Sequence, residues 1–167
     1  FNEIGWTITI PDGFIEVDSA KNRRNMERGL KAIEESSNVT ADISEVITLF
    51  SATKNTLQYF TATLTPFDPE KDGDYAIANK DVKEITFNTF RDQMPDAKLD
   101  TSSRKINIDG LEFDKFSISI KIDELPLTVV MIFKLYKGYD FGISYLYMDE
   151  ETQKEIEASI SSSKFRK

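Results

Sequence analysis

Two apolar runs in the C-terminal third constrain this chain more than any other feature. Residues 127–136 read LTVVMIFKLY and residues 139–148 read YDFGISYLYM, with only Lys137 and Gly138 between them. Such runs, joined by two residues that include a glycine, predict a β-hairpin. Side chains alternate between the two faces of a strand, and here both faces are largely apolar. The hairpin is therefore expected near the centre of a sheet that is covered on both sides.

The N-terminal third predicts a strand followed by a helix. Residues 4–10 alternate between apolar and polar side chains and lead into a Pro-Asp-Gly turn. The spacing of Met26, Leu30 and Ile33 then predicts a helix over residues 19–36, with Asp18 or Ser19 as its N-cap. Gly29 weakens the expectation that this helix is straight. Its basic residues suit either an acidic partner or an ordinary solvated surface.

The middle of the chain predicts a hairpin and a second helix. Residues 37–44 are expected to form a loop, with a formal glycosylation triplet at Asn38. Residues 46–53 and 56–65 predict two strands, and residues 80–94 predict a helix. Its strip of Phe87, Phe90 and Met94 suits core packing, with the lining of a ligand pocket as the alternative.

The remaining elements are predicted from one strong turn and one cap. Asp109-Gly110 predicts a tight hairpin between strands over 98–108 and 111–122. The second strand has a polar face that includes Lys115, and this face is expected to be exposed to solvent. A last helix is expected to begin after Asp149 and to end at the basic residues of the C-terminus. The order predicts an α+β fold: one domain, residues 1–167, with an antiparallel sheet of six to seven strands between helices, an α/β/α sandwich.

Composition excludes much of enzyme chemistry. The 167 residues include no histidine and no cysteine, so thiol nucleophiles, Ser-His-Asp triads and tetrahedral zinc sites of the usual ligands are excluded. A net charge of −8 opposes nucleic-acid binding. No apolar run approaches the ~18–20 residues that a membrane helix needs. The chain begins at Phe1 rather than methionine, so we expect a removed secretory leader or lipoprotein anchor and a location outside the cytoplasm.

One acidic segment has the spacing of a metal-binding loop. Asp68, Glu70, Asp72 and Asp74 alternate in the sequence PFDPEKDGD and surround a glycine. Calcium prefers oxygen ligands arranged in this way, and these four residues are candidate calcium ligands. The match is incomplete, because Asn79 occupies the position where a glutamate usually closes the coordination shell. The alternative is an acidic surface turn.

The arrangement resembles the Mog1/PsbP-like family. The resemblance is carried by GWTITIPDGF near the start, by NIDGLEFDKF and LTVVMIFKLYKGYDFGISY in the meander, and by MDEETQKEI at the last helix. It implies a fold used mainly for non-enzymatic binding, in a nuclear transport factor that binds a small GTPase, in extrinsic subunits of photosystem II and in secreted bacterial proteins. These motifs are structural, so no functional residue is transferred from the family.

Three functions follow as hypotheses. The first is a non-catalytic binding or accessory domain outside the cytoplasm, with a protein as its partner and no cofactor. The second is a calcium-binding domain that uses the acidic segment. The third is a carboxylate-dependent hydrolase such as a glycosidase, which needs two carboxyl groups about 5–10 Å apart. The sequence identifies no such pair.

Overall fold

The computed structural model describes residues 1–37, 42–55, 57–123 and 125–166. The glycosylation triplet at Asn38 and half of its predicted loop lie outside these ranges. The helices are α1 (Ser19–Ser36), α2 (Pro69–Asp72), α3 (Tyr75–Gln93) and α4 (Glu150–Ser162). The strands are β1 (Trp6–Thr7), β2 (Ile15–Glu16), β3 (Ile47–Thr53), β4 (Tyr59–Pro66), β5 (Lys98–Ile108), β6 (Leu111–Ile122), β7 (Leu125–Tyr136), β8 (Tyr139–Tyr147) and β9 (Lys164–Phe165).

Seven strands form one antiparallel sheet in the order β2-β3-β4-β8-β7-β6-β5. The predicted hairpin of β7 and β8 lies at its centre. Lys137 and Gly138 have φ values of 52° and 80°, and Asp109 and Gly110 have values of 49° and 86°. Positive φ at both central residues is the geometry of a two-residue hairpin turn whose twist matches that of the strands.

Helices cover both faces of the sheet, as the α/β/α prediction requires. We call the two sides the α4 face and the α3 face. On the α4 face, one side of the last helix is buried against the sheet, because its buried residues recur at helical spacing. These residues are Thr152, Ile156, Ser159 and Ile160. On the α3 face, Phe87, Phe90 and Met94 pack against buried residues of β6 and β7.

The two chain ends meet in a separate two-stranded sheet of β1 and β9, where Trp6 pairs with Phe165. The predicted strand over residues 4–10 is therefore wrong in length, and β1 lies in this small sheet and not in the seven-stranded one. Gly5 has φ of 70°, and a Cβ there would lie 3.3 Å from the carbonyl oxygen of Arg166. The two backbones approach closely at this point, and a side chain would obstruct their approach. The basic C-terminal residues likewise follow α4 and do not end it.

The predicted caps are confirmed at two helices. The Asp18 carboxylate accepts a hydrogen bond from the backbone N–H of Lys21 at 2.9 Å, and Asp149 accepts one from Thr152 at 2.7 Å. Helix α3 begins five residues before its predicted start, because Asp74 caps it at Ala76 and Ile77. An aspartate at this position satisfies backbone N–H groups that have no partner inside the helix.

Candidate functional site

The acidic segment forms a short helix and two caps. Asp68 accepts a hydrogen bond from the backbone N–H of Glu70 and forms an ion pair with Lys71, while Asp72 accepts one from the N–H of Asp68. Asp74 is turned toward the first turn of α3. In the described part of the chain, no three acidic side chains lie close enough together to hold a metal ion. The calcium site stays a prediction, and these contacts give the same side chains a structural role.

A larger feature lies beneath α1, between this helix and the α3 face of the sheet. Every residue of α1 is described, and none of them is buried. The helix is held at a few points: Asn22 donates to the Thr48 hydroxyl at 3.0 Å, and the hydroxyls of Ser36 and Thr89 are 2.9 Å apart. Because α1 contacts its neighbours mainly through such points and through α3, space remains below it. We call this space the α1 cleft.

One end of the α1 cleft is apolar. It has a volume of about 470 Å³ and is lined from three sides, by α1, α3 and the sheet. Gly29 and Ala32 contribute little bulk from the helix, and a Cβ at Gly29 would meet no atom within 4 Å. The opposite wall carries Phe90, Met94 and Met131. Aliphatic and aromatic walls of this kind favour an apolar group that leaves water.

The other end of the α1 cleft is polar, with a volume of about 680 Å³. Lys21 and Arg28 line it from α1, and neither forms an ion pair with another described residue. Tyr59 lines both ends and joins them. Burial raises the pKa of Tyr59 to about 12, so its hydroxyl stays neutral and available as a hydrogen-bond donor at pH 7. The cleft thus combines an apolar end, a neutral hydroxyl and two cations.

Only part of the α1 cleft is predicted by the sequence. The strip of Phe90 and Met94 belongs to the sheet core, as predicted, and also lines the cleft, which was the alternative. Gly29 weakened the expectation of a straight helix; α1 is continuous through it, and the glycine leaves space. The small residues Gly29 and Ala32 lie three positions apart and so share one side of the helix, which was the available signal.

A charged cluster lies beneath α4. The Glu157 carboxylate accepts hydrogen bonds from Lys115 at 2.7 Å, from Tyr145 at 3.1 Å and from Gln153 at 3.2 Å. The Lys115 side chain is only 9% exposed, so the predicted wet face of β6 is wrong at this residue, because α4 covers it. Burial favours the neutral carboxyl, but the three donors outweigh it, and the pKa of Glu157 lies below its ordinary value.

A second, partly buried contact joins α3 to β8. The Tyr75 hydroxyl donates to Asp140 at 2.7 Å, and burial raises the pKa of both groups. Asn79 is buried one turn further along α3, and its Oδ1 has no hydrogen-bond partner among the described residues. Like Glu157, Asp140 is engaged by a donor of the protein itself. The Glu157 contacts hold α4 on the sheet, and the Asp140 contact holds α3 on it.

Comparison with known proteins supports the fold. No family model matches the chain, and no curated protein matches it in sequence. The solution structure of cyanobacterial PsbP (CyanoP) from Synechocystis sp. PCC 6803 matches with a TM-score of 0.59 and 11% sequence identity, covering 99% of this chain and 89% of that one. The Mog1/PsbP-like fold predicted from the sequence is therefore confirmed. At this identity the similarity concerns the fold alone.

No helix in the described residues is long and apolar enough to cross a membrane.

Proposed function

We propose that this chain is a non-catalytic binding domain, located outside the cytoplasm, whose partner is a protein. The α1 cleft receives a short apolar segment of that partner with an acidic residue beside it. The observation that carries the proposal is the α1 cleft itself, because a helix without a single buried residue leaves apolar walls on α3 and the sheet only partly covered. Covering such walls stabilises a complex by about 25 cal/mol for each Å² of apolar surface removed from water.

The charges of the α1 cleft support an acidic neighbour for that apolar segment. Lys21 and Arg28 lie on the polar end of the same cleft, in a chain whose net charge is −8. A locally basic surface on an acidic protein attracts an anionic group and fixes its orientation. Tyr59 would donate a hydrogen bond at the junction of the two ends.

The non-catalytic part of the proposal has three supports. The sequence has no histidine and no cysteine. Two partly buried carboxylates, Glu157 and Asp140, already accept hydrogen bonds from donors of the protein itself. The PsbP-like fold adds a scaffold whose resemblance implied binding and a place outside the cytoplasm.

The first experiment fills the α1 cleft. Ala32→Phe places a ring in the apolar end, and Ala20→Phe places the same ring on the exposed first turn of α1. We expect 1-anilinonaphthalene-8-sulfonate, an apolar anion, to bind the wild-type chain and the Ala20→Phe control, and to bind Ala32→Phe at least about 10-fold more weakly. Circular dichroism verifies that both variants are folded. Equal binding by all three chains would contradict the proposed site.

The second experiment tests the partner. A photoreactive benzoylphenylalanine at position 32 or at position 20 is irradiated in an envelope fraction of the source organism. We expect a covalent protein adduct at position 32 only. Once identified, the purified partner should bind the wild-type chain and lose affinity for Ala32→Phe by about 10-fold or more. A partner that binds both equally would overturn the assignment to the α1 cleft.

A further inference from the structure

Strand β5 forms a long, free edge of the sheet. It spans 11 residues and pairs with β6 along its whole length, from Lys98 opposite Lys121 to Ile108 opposite Leu111, without a register shift. Its other side pairs with no described strand, and most of its residues are exposed. Unpaired N–H and C=O groups along such an edge are a template for another strand. An interrupted or bulged edge would not offer this template.

Two opposite charges on β5 form no ion pair with a described residue. Asp100 and Arg104 lie on the same face of the strand, two positions before and two positions after Ser102. Neither forms an ion pair within the described part of the chain. Lys115, which lies opposite Arg104, is bound to Glu157, and Ser119 lies opposite Asp100. The fold therefore leaves one anion and one cation symmetrically placed about Ser102.

We propose that a second copy of this chain pairs with β5, antiparallel, about a two-fold axis that passes beside Ser102. This register places Asp100 of each chain opposite Arg104 of the other, so that two ion pairs form at once. The pairing joins the two seven-stranded sheets edge to edge. The α1 cleft stays outside the interface, because the strands that line it with α1 include β3 and β4, toward the opposite edge of the sheet.

Neighbouring registers lack this complementarity. A two-fold pairing within one sheet matches residues of the same face, so the axis must pass beside a residue. An axis beside Thr101 would place Lys98 opposite Arg104, and like charges directly opposite are unfavourable. An axis beside Ser103 would place Asp100 opposite Ile106 and Arg104 opposite Ser102. Charge thus selects the register at Ser102, and it selects a copy of the same chain as the occupant.

Charge reversal tests the pairing. Sedimentation velocity of the full chain over a wide concentration range should give a dimer. Arg104→Asp and Asp100→Arg each turn both ion pairs into repulsive pairs, and each should weaken the dimer by about 10-fold or more. Arg24→Asp makes the same charge change on α1, where Arg24 is exposed, and should leave dimerisation unchanged.

Recombination of the two variants makes the test specific for the register. An equimolar mixture of Arg104→Asp and Asp100→Arg should form a heterodimer, because both cross-strand pairs are then attractive. The double variant Asp100→Arg/Arg104→Asp should dimerise like the wild type. A wild-type chain that stays monomeric at every concentration would overturn the proposal. Single variants that dimerise as well as the wild type, or a mixture that does not recover, would overturn it too.

Discussion

Glu157 and Lys115 form an ion pair in which the lysine is almost completely buried. The Lys115 ammonium has little access to water, since its side chain is 9% exposed, and Glu157 supplies the compensating charge at 2.7 Å. Taking an ammonium group out of water costs several kcal/mol unless it is paired and hydrogen-bonded. The contact therefore fixes where α4 lies on the sheet.

Glu157→Gln should lower the free energy of unfolding by about 2 kcal/mol at pH 7, because it leaves the buried lysine without its counter-charge. We expect less than the ~3–5 kcal/mol of a fully buried pair, since Glu157 is itself 34% exposed and water screens it. Urea unfolding measures the change. The double variant Lys115→Met/Glu157→Gln is the control and should recover most of the loss. A single variant as stable as the wild type would contradict the expected role.

The same pair predicts a pH dependence. The folded pKa of Glu157 lies below its ordinary value of 4.5, so its contribution to stability is complete above that value and is lost as the pH falls through the folded pKa. Glu157→Gln cannot take up this proton. We expect its unfolding free energy to fall less steeply than that of the wild type between neutral pH and pH ~3. Parallel curves for the two chains would contradict this expectation.

Variants of Asp74 distinguish its role as a helix cap from its predicted role as a calcium ligand. Asp74→Ala should lower the free energy of unfolding by about 1 kcal/mol, because α3 loses the acceptor for Ala76 and Ile77. Asp74→Asn keeps an acceptor and should lower the free energy of unfolding by only a few tenths of a kcal/mol. Thermal unfolding measures both changes.

Excess calcium, added in the same thermal unfolding experiments, tests the metal-site prediction. If the site exists, calcium at 100 times its dissociation constant would raise the free energy of unfolding of the wild type by about 2.7 kcal/mol. Asp74→Asn would lose part of that gain.

At the scale of elements, α1 differs from α3 and α4. Helix α4 is pressed onto the sheet by four buried residues, and α3 contributes Phe87, Phe90 and Met94 to the core. Helix α1 has the predicted bounds, yet its stripe of Met26, Leu30 and Ile33 is only half-buried. Side-chain periodicity and caps predict where a helix begins and ends, whereas its distance from the sheet depends on the residues of other elements that it contacts.

Gly29→Ala tests the space beneath α1. Alanine is favoured over glycine inside a helix by about 1 kcal/mol, and no neighbouring atom lies within 4 Å of the added Cβ. We therefore expect the free energy of unfolding to rise by about this amount in urea unfolding. Ala20→Gly on the same helix is the reverse control and should lower it, by less than this amount because Ala20 lies in the first turn. A destabilised Gly29→Ala variant would indicate that α1 packs more closely on the sheet.

At the scale of the whole molecule, aromatic contacts join the two chain ends to the sheet. Trp6 is fully buried, its ring lies 4.9 Å from that of Phe141 on β8, and it also contacts Phe165. The first and last described strands thus cover the α4 face together. The pairing of β1 with β9 is a contact between residues that are far apart in the sequence.

Phe165→Ala should lower the free energy of unfolding by about 3 kcal/mol, because it opens a cavity beside Trp6, Phe113 and Phe141. Trp6 is the only tryptophan in the sequence, so its fluorescence reports this change directly. We expect a native emission maximum shifted to longer wavelength in the variant. Lys164→Ala removes an exposed ion pair with Asp109 and should change stability by less than about 1 kcal/mol. An unshifted spectrum in Phe165→Ala would contradict the packing described.

The sequence by itself determined the hairpin of β7 and β8, the α/β/α arrangement, the helix over residues 19–36 and the caps at Asp18 and Asp149. Each of these depends on local signals: side-chain periodicity, a turn of two residues, or a carboxylate beside free backbone N–H groups. Only the tertiary structure decided that Lys115 is covered, because that depends on where α4 crosses β6. It also decided that the chain ends pair with each other. Pairing of distant segments has no local pattern, since both partners are defined only once the sheet has brought them together.

The α1 cleft shows the same division. Its walls come from helices and strands that the sequence largely predicts, and Gly29, Phe90 and Met94 are conspicuous in the sequence. Its volume depends on the distance between α1 and the sheet. That distance is set by the contacts of α1 with α3, β3 and β4 together. Packing between elements is decided by shape in three dimensions, and a one-dimensional pattern records only which side of each element is apolar.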